Sequence, residues 1–78
     1  MDKVSKFLLK LSRERREHIM PIVARIIRND LENLDCKKLG GRDSEYRVRV
    51  GSIRIQFVKT PEGNIITKVG FKGDTTYR

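Results

Sequence analysis

One stretch limits what this chain can fold into more than any other: "YRVRVGSIRIQF", residues 46 to 57. Apolar and cationic residues alternate on both sides of Gly51-Ser52, and a period of two marks a strand with one face on a core and the other open. A Gly-Ser pair between two such runs reads as a two-residue hairpin turn with glycine first. Val50 then faces Ile53, Arg49 faces Arg54, Val48 faces Ile55, Arg47 faces Gln56 and Tyr46 faces Phe57. Tyr46, Val48, Val50, Ile53, Ile55 and Phe57 point to one side, and Arg47, Arg49, Arg54 and Gln56 to the other. Like charges directly opposed in a sheet are destabilising, so this register calls for an anionic group nearby.

The second turn extends the same pattern. "TPEGN" reads as a three-residue hairpin loop in which Thr60 pairs with Asn64. Gln56 would then face Lys68, and Arg54 would face Gly70. Lys68 and Lys72 join the arginine face, while Ile65, Thr67, Val69 and Phe71 join the core face. Gly70, without a side chain, leaves room for a close ligand.

The N-terminal half has helical spacing. Val4, Phe7, Leu8 and Leu11 define a first helix, and Ser12 is suited to cap a second whose first turn holds Glu14. Ile19, Ile22, Val23 and Ile26 form the apolar stripe of that second helix, with a kink or restart expected at Pro21. Arg13, Arg15, Arg16, Arg25 and Arg28 read as its solvated side. The following "NDLENLDCKKLGG" is a connector pinned by Leu31, Leu34 and Leu39. Its Asp30, Glu32 and Asp35 lack the ligand set and glycine of a calcium loop, and Gly40-Gly41 lacks the Gly-Lys-Ser/Thr of a phosphate loop. The expectation is one α+β domain over residues 1–78: a helical hairpin at 3–29, a connector at 30–44, a three-stranded antiparallel meander at 45–72 and a tail at 73–78. The two helices cover the apolar face of the meander.

Eighteen basic against ten acidic residues give a net charge of +8, which favours a polyanionic partner. The bias lies toward the C-terminal half, because residues 1–37 carry nine basic and six acidic side chains and residues 38–78 carry nine and four. A chain of 78 residues has too small a core for an elaborate pocket, so the exposed sheet is the expected working surface. No secretory signal is visible and Arg25 interrupts the most apolar helical stretch, so the expected location is the cytoplasm, without a membrane. Cys36, the single cysteine, allows no disulfide framework and no zinc quartet, and reads as a small, partly buried thiol. Nothing connects it to His18 as a nucleophile pair. No metal and no small-molecule cofactor are expected.

"KLGG", then "YRVRVGSIRIQF" and "VGFKGDTTYR", behind a helical hairpin joined through "LLKLS", resemble the RelE/ParE superfamily of type II toxins from Ser5 to Tyr77. The resemblance implies a RelE-like fold, although "MDKVSKFLLKL" enters the first helix without the β-strand that usually opens the family. For the ribonuclease branch it implies a toxin that enters the ribosomal A site and cleaves mRNA, the 2′-hydroxyl of one nucleotide attacking the next phosphate. Matching positions are Arg47 and Arg49 on one strand, Arg54 on the next, Lys72 after the last, and Tyr77 in the tail. The cations would bind the scissile phosphate and the charge that grows on it, Tyr77 would stack on a nucleotide, and Gln56 and Lys68 would add RNA contacts. Lysines are common in this branch where Arg47 and Arg49 stand. Arginine cannot give up its proton, so these two are better suited to clamping phosphate, and Lys72 is the one matched cation able to carry a proton. The implied partners are a cognate antitoxin, the ribosome and mRNA, with DNA touched only through an antitoxin complex. Two other readings stay open: a ParE-like inhibitor of DNA gyrase, and a non-catalytic RNA-binding module with a basic sheet.

Overall fold

Ser12 sets the corner on which the helical half turns. In the computed structural model, which describes residues 3–39 and 44–71, α1 spans Lys3–Lys10 and α2 spans Arg13–Ile27. The Ser12 hydroxyl accepts the Arg15 N–H at 3.3 Å, satisfying one of the donors that a helix start leaves free. Arg16 is not simply solvated: its guanidinium donates to the carbonyls of Leu8 and Leu11, both at 3.0 Å, and so closes the end of α1. At the other end of α2, Asn29 adopts φ 63°, its N–H donating to the Ile26 carbonyl at 3.0 Å and that of Asp30 to the Arg25 carbonyl at 2.8 Å. This paired closure around a left-handed residue is a Schellman motif, with asparagine in the place usually held by glycine.

The helix does not restart at Pro21. A proline inside a helix costs about 3 kcal/mol, yet α2 is continuous from Arg13 to Ile27. Ile19 before the proline and Val23 and Ile26 after it are all buried in one core with Val48, Ile53, Ile55 and Phe57, which holds both halves of α2 to the sheet. Leu31 and Leu34 pack at the margin of that core.

The sheet has four strands rather than three. β1 (Asp35–Lys38), β2 (Glu45–Val50), β3 (Ile53–Thr60) and β4 (Gly63–Phe71) lie in sequence order, each antiparallel to the next. β1 occupies part of the stretch read above as connector. Four residues are too few to display a period, and the strand is defined by its pairing with β2, Asp35 opposite Arg49 and Lys38 opposite Tyr46. Among the described residues no helix is long and apolar enough to cross a membrane.

The β2–β3 register is the expected one, from Tyr46 opposite Phe57 to Val50 opposite Ile53, with Gly51 at φ 60° in the turn. The β3–β4 register differs in two places that cancel. Thr60 pairs with Gly63, not Asn64, because the Thr60 hydroxyl accepts the Glu62 N–H at 3.2 Å and donates to the Gly63 carbonyl at 2.6 Å, closing a two-residue turn. A β-bulge then leaves Thr67 as an extra residue in β4, and Gln56 opposite Lys68 and Arg54 opposite Gly70 are recovered as expected. Between turn and bulge the faces are exchanged. Asn64 and Ile66 point to the helices, whereas Ile65 is 57% exposed and Thr67 is exposed.

Asn64 explains why the core tolerates a polar residue there. Its side chain is 7% exposed, and its amide donates to the Ile26 carbonyl at 2.9 Å and to the Asn29 side-chain oxygen at 3.0 Å, which ties the β3–β4 hairpin to the end of α2. The face exchange is testable by matched substitutions. Ile65→Thr should change stability by no more than about 0.5 kcal/mol, while Ile66→Thr should cost at least about 1 kcal/mol more, read from urea or thermal unfolding. The reverse order would mean that β4 runs without the bulge.

Candidate functional site

The sheet face turned away from the helices is built by register alone. Two rows run across it. The first holds Asp35, Arg49, Arg54 and Gly70 on β1 to β4, and the second Lys37, Arg47, Gln56 and Lys68. Neighbouring members of a row sit on strands about 4.8 Å apart, close enough for adjacent guanidinium groups to share one phosphate. All five sequence-predicted residues that fall within the described chain, Arg47, Arg49, Arg54, Gln56 and Lys68, therefore share this face. Lys72 and Tyr77 lie outside the described residues, and so does Gly40-Gly41.

The anionic group that the opposed arginines call for is Asp35. Its Oδ2 receives the Arg49 Nε–H at 3.0 Å, from the side of Arg49 opposite to Arg54. Asp35 and Lys37 were not recognisable as site residues beforehand. "DCKK" carries no alternation that would mark them, and their place on the face follows from the pairing of β1 with β2.

The second row contains no carboxylate. Arg47, flanked by Lys37 and Gln56, is partly buried, and its Nε is shielded from solvent without a hydrogen-bond partner among the described residues. A buried donor left unpaired is unfavourable, and an oxygen anion on this face would pair it once the guanidinium turned outward. Gly70 offers the space for one: a Cβ built there would meet nothing within 4 Å among the described residues. The face can thus hold an anion through guanidinium forks and stabilise negative charge that grows on it. Among the described residues it carries no histidine, and no group of three or more His, Cys, Asp or Glu could hold a metal.

The helix side of the molecule carries a different concavity. A cleft of about 450 Å³ opens between α2 and the β2–β3 turn, lined by Glu14, Arg15, His18, Ile19, Val50 and Ser52 among others. His18 is exposed at its rim, and Cys36 is not part of it. Cysteine and histidine therefore form no nucleophile pair there.

Two helices on one face of this sheet, with the cationic rows on the other, make an α+β fold of the RelE-like kind. Among solved structures the chain is similar to the RelB-RelE antitoxin-toxin complex from Methanococcus jannaschii, with a TM-score of 0.75 and 25% sequence identity over 95% of this chain and 91% of that one. No protein-family model matches the sequence, and no curated protein does either.

Cys36 sits on the helix-facing side of β1, opposite Val48. Burial pushes its thiol pKa up, and the charge of Asp35 adds to this while Lys59 opposes it. A raised pKa means less thiolate, the reactive form. At about pH 8, below the ordinary thiol pKa, iodoacetamide should alkylate Cys36 more slowly in the folded protein than in the urea-unfolded chain. The gap should narrow as the pH rises, as followed by mass spectrometry.

Proposed function

We propose that this protein is the toxin of a type II toxin–antitoxin pair and acts as a ribosome-dependent endoribonuclease on mRNA. The observation that carries the reading is the double row of cations on an open sheet face of a RelE-like fold, with the Arg47 Nε lacking a partner among the described residues. The similarity to an antitoxin-toxin complex supports a cognate antitoxin as the protein partner, and a net charge of +8 suits an antitoxin segment with acidic character. Ribosome and messenger would be met in the cytoplasm.

The reaction assigned to the face is transesterification. The 2′-oxygen of one nucleotide attacks the adjacent phosphorus, the bond to the 5′-oxygen of the next nucleotide breaks, and a 2′,3′-cyclic phosphate and a 5′-hydroxyl result. One proton leaves the 2′-hydroxyl and one is delivered to the departing 5′-oxygen. Arg54, between Arg49 and the open space at Gly70, would bind the non-bridging oxygens as their charge grows, with Arg47 and Arg49 clamping the phosphate. Gln56 and Lys68 would hold the flanking backbone. Arginines cannot serve as proton carriers near neutral pH, and of the positions matched by the resemblance this leaves Lys72 and Tyr77 for that work.

Induced expression without antitoxin should arrest growth and translation, and Arg54→Ala should relieve the arrest while the purified variant stays folded. In single-turnover assays on programmed ribosomes, Lys72→Met and Tyr77→Phe should each slow cleavage at least about tenfold with little change in ribosome affinity. Full toxicity of a folded Arg54→Ala protein would count against the site. Gyrase inhibition without RNA cleavage would replace this reading by a ParE-like one, and RNA binding with neither activity by a non-catalytic module.

A further inference from the structure

We propose that Asp35 is a positioning residue that occupies Arg49 in the free protein and so sets how readily the sheet face accepts an RNA phosphate. The inference rests on the reading of that face as an RNA site.

Four features of the cation lattice support it. Asp35 and Arg49 are direct partners across β1 and β2, and the contact of 3.0 Å uses the Nε edge of the guanidinium. Arg49 makes no other hydrogen bond or ion pair among the described residues, which leaves its two terminal nitrogens to donate to a second anion. Both side chains are about half exposed, at 49% for Arg49 and 57% for Asp35, so the pair can open to an incoming ligand without disturbing the core. Arg49 also stands directly opposite Arg54. By drawing the Arg49 guanidinium toward β1, Asp35 separates two like charges that would otherwise share the middle of the row.

Among the described residues the charged groups on this face are Asp35, Lys37, Glu45, Arg47, Arg49, Arg54 and Lys68, and Asp35 makes the only ion pair there with one of the row's arginines. Two effects follow. The carboxylate orients Arg49 before ligand arrives, and it competes with phosphate for the same cation. A polyanion with poor geometry does not displace it, while a phosphate seated across Arg49 and Arg54 gains both forks. Asp35 would thus lower affinity for indiscriminate polyanions and favour an RNA backbone that spans the row.

The test uses binding of a short single-stranded RNA to the full chain at several salt concentrations. Asp35→Asn removes the charge and keeps the shape. It should tighten binding by about three- to tenfold, more than the equal charge change of Glu62→Gln in the β3–β4 turn. The slope of log affinity against log salt should steepen by about 0.7, because Arg49 then releases a full counterion on binding. Both changes should vanish in the Arg49→Gln background, and Asp35→Glu should restore wild-type affinity. Asp35→Thr provides a second neutral variant suited to a strand, with thermal unfolding confirming that each protein is folded. A gain no larger than that of Glu62→Gln, or one that persists without Arg49, would overturn the role of Asp35 alone, provided that Arg49→Gln and Arg54→Ala weaken RNA binding. RNA binding indifferent to both arginines would overturn this inference together with the RNA reading of the face.

Discussion

The pairing of β2 with β3 is the constraint on which everything else rests. Its register places Val48, Ile53, Ile55 and Phe57 under the helices, and the same register leaves Arg47, Arg49 and Arg54 on the far side. A slip of one residue would send the arginines into the core and the isoleucines into water. Core and cation surface are therefore one feature seen from two sides. Burying the apolar side of the hairpin stabilises a crowding of positive charge that no isolated ribbon would hold.

Charge on the face is managed by short, cross-strand means. Asp35 comes from a strand too brief to stand alone, and its place in the sheet depends on hydrogen bonds to β2. On the helix side, cations contribute differently. Arg16 closes α1, Arg15 lies 5.3 Å from the centre of the Phe71 ring, and Lys59 lies 4.5 Å from the centre of the Tyr46 ring. A chain with eighteen Lys and Arg residues thus uses several of them as structural ties and leaves Arg47, Arg54 and Lys68 without an ion pair among the described residues.

What was legible beforehand followed from periodicity and turn chemistry. The Gly51-Ser52 hairpin, the Ser12 cap, the apolar stripe of α2 and the shared face of Arg47, Arg49, Arg54, Gln56 and Lys68 all rest on patterns several residues long. The rest depended on contacts that leave little local trace. β1 is defined by its partner. The Thr60 hydroxyl tightens a turn by one residue, and the bulge at Thr67 compensates, so Ile65 and Ile66 exchange sides although "NIITKV" looks the same in either register. At Pro21 the helix runs on without a restart, since burial on both sides of it offsets the missing hydrogen bond.

The sequence order of the four strands has a kinetic consequence. Each strand pairs with its neighbour in the chain, so every step of sheet assembly closes a short loop and the entropy of ordering is spread over small increments. The seating of α1 and α2 against the sheet joins distant parts of the chain, β4 above all. Pairing between strands adjacent in the chain favours rapid formation of the sheet. The last strand is the one both helices await, so the domain can complete itself only once Phe71 has left the ribosome that made it.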